Sequence, residues 1–362
     1  MATGSGVVEV TRRLLEGEKH DSQPQGFHNL GHGPADSMLR KLCASCHLGQ
    51  EKKQHRLDVT HDRGGGCLAC HLNRHPDGRH PELTTNVEDG RCFGCHSRSS
   101  RIALSYAGLA ETTASAPVVN GMGISRLADG RLVEHRSADA HHRAGMSCID
   151  CHTGNGLMGA MPAADRQDQA VDIACEDCHD NTRPRVTPAN WHEQYKPMLK
   201  RIPFPAPGAQ PFLTTAHGTP LWHIEVRNDK LVLHRKLDGR ALAIPQYQSS
   251  DHTLETEHAR LDCDACHAQW APQCYECHLD YSLDRPQWDH IEGKVTAGRW
   301  SQRLGGVRNS LPPLGVTATD AITPFVPGMI MTIDHPDVEV PHFQRLFGSL
   351  SPHTTGPARS CA

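Results

Sequence analysis

Cys263-Asp-Ala-Cys266-His267, followed after six residues by Cys274-Tyr-Glu-Cys277-His278, is the stretch from which the rest of the chain can be read. Each half is C-x-x-C-H. Upstream, the same pattern recurs five times. The copies are Cys43, Cys46 and His47; Cys67, Cys70 and His71; Cys92, Cys95 and His96; Cys148, Cys151 and His152; and Cys175, Cys178 and His179. The seven copies use fourteen of the fifteen cysteines.

The spacing has a chemical reason. Two thiols three positions apart can reach the two vinyl groups on one edge of a haem and form thioethers, and the histidine that follows then falls beneath the iron as its proximal ligand. C-x-x-C pairs also build zinc sites and redox dithiols. Histidine is 27 of 362 residues. A random residue after each of seven pairs would therefore be histidine every time with a chance of roughly one in a hundred million. Seven covalent haems are expected, and those of the closing pair can hardly avoid contact.

Composition agrees with a thin polypeptide core. Hydrophobic residues make up 37% and aromatics 5%, with 32 glycines and 25 prolines. The expected fold class is a multihaem cytochrome c: mostly loops and short helices wrapped around haems, with a small antiparallel β meander. The net charge is −4. Seven haems with ionised propionates would take it to roughly −11 oxidised and −18 reduced. Such a surface suits redox protein partners that are basic or membrane-bound, and it argues against nucleic acid. A homo-oligomer or filament is a further expectation. Attachment of this kind occurs outside the cytoplasmic membrane, so an exported, periplasmic or extracellular protein is expected. Residues 1–10 carry neither a basic n-region nor an apolar h-region, so the export signal is expected to lie outside this sequence. Residues 311–333 are the longest apolar stretch, but Asp320 and four prolines interrupt it.

Along the chain, three divisions are expected: an N-terminal haem-rich region with five sites (1–180), a haem-free loop and β meander (181–262), and a haem pair with a wrapping C-terminal tail (263–362). Residues 7–17 read as a short helix. Asp129-Gly130 reads as the turn of a hairpin over residues 126–133. Residues 183–211 are proline-rich and read as extended loop. Residues 222–226, 231–234 and 241–244 read as the meander. Arg235-Lys-Leu-Asp-Gly-Arg240 repeats the phrase Arg126-Leu-Ala-Asp-Gly-Arg131. The tail 279–362 looks too proline-rich to form a domain of its own.

A low-spin haem needs a second axial ligand, and twenty of the 27 histidines lie outside the motifs. The distal candidates are His32, His61, His141, His217, His252, His258 and His335. His217 is preferred to His223, which is expected in a strand, and His142 is the neighbour of His141. Met329 and Met331 are rival ligands that would raise a haem's potential, although core packing is expected of both.

The phrase Asp139-Ala-His141-His-Arg-Ala-Gly-Met146, ahead of Cys148-Ile-Asp-Cys-His152, resembles the D-x-H-x-x-x-G-M-x-C-x-D-C-H phrase of periplasmic multihaem c-type cytochromes. The resemblance implies that His141 is a distal ligand. Residues 92–106 resemble another phrase of large members of that group. The C-x-x-C-H copies span residues 43 to 278, while the meander and tail resemble nothing specific.

Electron transfer through a chain of closely packed c-type haems, as in anaerobic respiration, is the function these motifs favour, with no catalytic residue assigned. The alternative is a multihaem oxidoreductase acting on a small nitrogen or sulfur compound at one open haem. No C-x-x-C-K replaces a proximal histidine, and no widened C-x(n)-C-H site appears. The fifteenth cysteine, Cys361, follows His353 and a Gly-Pro turn. It is read as the start of an eighth motif continued beyond this sequence, with His353 a distal ligand competing with His335.

Overall fold

The computed structural model describes residues 11–12, 15, 26–48, 66–73, 79–97, 102–113, 118–119, 122–127, 129–158, 171–180, 182–205, 210–247, 259–274, 276–337 and 342–359. His61, His252, His258 and Cys361 lie outside them, as does most of the helix expected over 7–17; Thr11, Arg12 and Leu15 are helical. Among the described residues no helix is long and apolar enough to cross a membrane.

The chain groups into two units. One holds Asn86–Asp89 and Ala144–Ala259; the other holds Thr3–Thr85, Gly90–Arg143 and Arg260–Ala362. This differs from the three-part division expected from motif spacing. Side chains from the meander clasp the turn that carries Cys148 and Cys151, so those motifs group with it.

In the first unit, strands Ile224–Arg227, Lys230–His234 and Ala241–Ala243 form an antiparallel sheet with Lys230–His234 in the middle. Asn228 and Asp229 both adopt left-handed φ, 49° and 60°. Two such residues make the turn whose twist matches a two-residue hairpin, and Asn and Asp tolerate it best. Leu213, Leu221, Ile224 and Leu231 form a buried cluster, with Ile173 and Cys178 packed against it. The segment 183–211 is not extended throughout. It holds the 3-10 helices Pro188–Asn190 and Glu193–Arg201. Trp191, Phe204 and Phe212 bury there with Tyr195, Met198 and Ile202 against them. These apolar residues outweigh the loop signal of the prolines, and Pro188 starts a helical turn, where its missing N–H costs nothing.

The second unit holds two larger sheets. A four-stranded sheet runs in the order Leu109–Glu111, Leu132–His135, Met122–Arg126, Val118–Val119. Its hairpin turn has Gly130 at φ 90°, and the Asp129 carboxylate accepts from Arg131 N at 3.2 Å. The repeated phrase in the first unit builds the same device: Gly239 at φ 73°, with Asp238 accepting from Arg240 N at 3.1 Å. The repetition is therefore turn chemistry.

The tail, expected to lack domain character, carries the largest sheet. Strands Arg299–Leu304, Glu276–Ser282, Ile322–Asp334 and Leu314–Val316 follow one another, and His342–Ser349 also pairs with Ile322–Asp334. Its prolines are accommodated. The register shifts between Pro327 and Met329, where Gly328 sits at φ 86°, a bulge that needs no donor from proline. The core of this unit gathers Leu15, Ala35, Met38, Cys277, Leu279, Trp300, Met331 and Ile333. Met331 is thus a packing residue here.

Candidate haem-attachment sites

Six of the seven motifs lie on helical turns. Residues 43–47 join the end of Leu39–Cys43 to Ala44–His47; the others fall on Leu68–His71, Asp89–His96, Cys148–Cys151, Cys175–His179 and Cys263–His267. A helix sets positions i and i+3 on one face, so both cysteines of a pair point the same way. Cys67 caps the second of these turns. Its carbonyl accepts from Cys70 N at 3.3 Å and from His71 N at 3.0 Å, which draws Cys70 back over Cys67. Cys67 is exposed, while Cys70 is half-buried. Cys92 and Cys95 share the longest of the motif helices, Asp89–His96, and both are half-buried. His152 ends the turn Cys148–Cys151 with extended backbone, φ −97° and ψ 126°.

Local sequence starts two of these turns. Asp150 accepts from Ser147 N at 2.8 Å, and Asp177 from Ala174 N at 2.9 Å, so a carboxylate inside each motif caps its own first turn.

The seventh motif differs. Cys274 ends the strand Ala271–Cys274, and Cys277 and His278 lie on Glu276–Ser282. Cys277 pairs with Leu304 and Met331 and is only 7% exposed in the apolar core. Alternate strand residues face opposite ways, so Cys277 points into packed protein and His278 away from it. This strand arrangement does not fit a haem on Cys277 as it stands.

Iron takes the lone pair of Nε2 when Nδ1 carries the proton. Three proximal candidates have that tautomer fixed by a carbonyl. His71 Nδ1 donates to Thr84 O at 2.8 Å, His179 Nδ1 to Pro245 O at 2.7 Å, and His267 Nδ1 to Gly356 O at 2.9 Å. A carbonyl only accepts, so the proton is on Nδ1. His278 Nδ1 meets Thr332 Oγ1 at 2.7 Å. His47 stacks on Phe27 with ring centroids 4.6 Å apart. Burial lowers the pKa of His47 and of His96, keeping both imidazoles neutral, the form that binds metal.

The distal candidates divide on the same criterion. His141 donates from Nδ1 to Asp139 at 2.8 Å, and His353 from Nδ1 to Ser351 O at 3.1 Å. His32 and His335 have the reverse arrangement. Arg40 donates to His32 Nδ1 at 3.3 Å, and Asp337 N donates to His335 Nδ1 at 3.1 Å, which puts the ring proton on Nε2. His335 also packs between aromatic rings, 4.4 Å from Tyr281 and 5.3 Å from Trp300. His217 is exposed in a turn.

Spacing singles out the closing pair of motifs. The fold also places others within electrostatic reach. In the second unit His96 feels Cys46, His47 and His353. In the first unit Cys178 feels Cys151. Residues 351–359 brace part of the second unit. Arg359 N donates to Cys266 O, Gly356 N to His267 O and Thr355 N to Asp139.

His223 is a residue that spacing does not single out. It lies in the turn before Ile224–Arg227 rather than in the strand, is 1% exposed, and donates from Nε2 to Asp150 O at 3.0 Å. Among the described residues its buried Nδ1 meets no donor. Two other buried atoms without partners border motif turns: Gln246 Oε1, whose amide nitrogen donates to Cys178 O, and Arg359 Nε, whose guanidinium donates to Ala265 O. Buried polar atoms are normally satisfied. Of the three, Arg359 Nε–H is a donor that a haem propionate could meet, whereas His223 Nδ1 and Gln246 Oε1 are acceptors that call for a donor such as a water.

No protein-family model matches this chain, and no curated protein or solved structure matches it either.

Proposed function

We propose that the chain is an electron-transfer protein that holds c-type haems at its C-x-x-C-H motifs and passes electrons from one to the next. The observation that carries this reading is the coincidence of motif and geometry. Six C-x-x-C-H copies sit on helical turns that set both sulfurs on one face, with the histidine directly after. The haem iron, when bound, takes up and releases one electron.

The chain's own residues would do the rest. The macrocycles would be anchored by Cys43 and Cys46, Cys67 and Cys70, Cys92 and Cys95, Cys148 and Cys151, Cys175 and Cys178, and Cys263 and Cys266. His47, His71, His96, His152, His179 and His267 would be proximal ligands. His141 and His353 have the tautomer a distal ligand needs. The backbone carbonyls of Thr84, Pro245 and Gly356 hold the ring orientations of three proximal histidines. No role is given to Cys274, Cys277 and His278 while they lie on strands.

Electron paramagnetic resonance of the oxidised holoprotein tests the reading. Low-spin ferric signals throughout are expected of a conduit whose haems all have two axial ligands. A high-spin ferric signal of one haem per chain would favour an enzyme with an open iron.

A further inference from the structure

Lys236 lies in the repeated Arg-x-x-Asp-Gly-Arg phrase, outside the C-x-x-C-H motifs. Its Nζ donates to Ile149 O at 2.6 Å, inside the Cys148–Cys151 turn. Its backbone N–H donates to Asp150 Oδ1 at 2.7 Å. Asp150 is itself buried and engaged on three sides, by Ser147, His223 and Lys236. The ammonium also lies 6.0 Å from the Trp222 ring centroid. These contacts place the cation against the turn between Cys148 and Cys151.

A hydrogen bond to Ile149 O needs only a donor. An amide would make it without the cost of drawing a full charge out of water. Burial does pull the Lys236 pKa down, to about 8, with Asp150 opposing. The group still carries its charge at neutral pH. Reducing a ferric haem adds one negative charge, and a fixed cation nearby favours the reduced form.

We propose that Lys236 is a potential-setting residue. Its ammonium, countered by Asp150, raises the reduction potential of the haem on Cys148 and Cys151. The inference rests on the proposed attachment of haem at that motif.

The test is a potentiometric titration of the holoprotein, followed in the haem absorption bands, comparing wild type with Lys236→Gln and Lys236→Arg. Peptide mapping by mass first establishes haem on the Cys148 peptide; its absence there would defeat the functional reading itself. With haem present, Lys236→Gln should move one midpoint negative by about tenfold in equilibrium constant, about 59 mV for a one-electron couple. Lys236→Arg should leave that midpoint near wild type. A Lys236→Gln titration that superimposes on wild type at unchanged haem content and spin state would overturn the proposal. Should Lys236→Gln fail to fold, Lys236→Met decides: it must move the same midpoint negative, and no shift or a positive one would overturn the proposal.

Discussion

His141 donates from Nδ1 to a carboxylate oxygen of Asp139 at 2.8 Å, and the same oxygen accepts from the His141 backbone N–H at 2.8 Å. The other Asp139 oxygen accepts from Thr355 N at 2.5 Å. A carboxylate on Nδ1 fixes the ring and makes Nε2 a stronger base, the usual outer partner of a metal-bound histidine. Replacing His141 with Ala should therefore turn one haem high-spin in the paramagnetic resonance spectrum. Unchanged low-spin signals would remove His141 from the ligands and turn attention to its neighbour His142.

The same contact predicts a pH dependence. Burial alone would raise the Asp139 pKa, but hydrogen bonds from His141 and Thr355 win and lower it below its ordinary 3.8. A carboxylate with a lowered folded pKa adds stability that is fully present above the unfolded value and is lost as pH falls through the folded one. A hydrogen-bonded charge of this kind is worth about 2 kcal/mol. Thermal unfolding of Asp139→Asn should show that much less stability at pH 7 and a shallower loss below about pH 4. Parallel acid limbs in the two proteins would show that Asp139 contributes no such term.

His335 is expected to pack rather than to ligate. Its ring lies against Tyr281 and Trp300, and Asp337 N donates to its Nδ1. His335→Phe should leave every haem low-spin, while Trp300→Ala should cost about 3–5 kcal/mol as a core truncation. A new high-spin signal in His335→Phe would make it a ligand instead.

The two repeated turns should respond alike. Gly130 and Gly239 both have left-handed φ, 90° and 73°. A side chain at either position is strained by roughly 1–2 kcal/mol. Chemical denaturation of Gly130→Ala and Gly239→Ala should show losses of that size, and a neutral effect at both would mean that the backbone relaxes.

What could be read from the sequence follows from how local the signal is. The Asp129-Gly130 turn and the strands of the meander were legible because turn residues and period-two patterning sit within a few positions. The C-x-x-C-H motifs were legible for the same reason: Cys67 and Cys70, or Cys92 and Cys95, lie three positions apart in the chain. The strand placement of Cys274 and Cys277 was not, nor was the sheet built around Ile322–Asp334. Its partner strands are set by a parallel pairing with Glu276–Ser282 far back in the chain and by a bulge next to Pro327. Lys236 and His223 were not legible either. They meet Asp150 from more than seventy residues away, and nothing near Cys148 signals them. Four distal candidates show why histidine spacing is a weak guide. His141 and His353 have Nδ1 as donor and His32 and His335 have Nδ1 as acceptor, a difference made by backbone and side-chain neighbours that spacing does not encode.

Haem content is the most direct measurement of the central claim. A pyridine haemochrome assay on the purified holoprotein, normalised to polypeptide by amino-acid analysis, counts covalent haems per chain. Six motifs present helical turns, and the seventh, at Cys274 and Cys277, lies on strands that would have to give way. The expected result is six haems per chain, or seven where attachment precedes strand pairing; five or fewer would contradict attachment at these motifs.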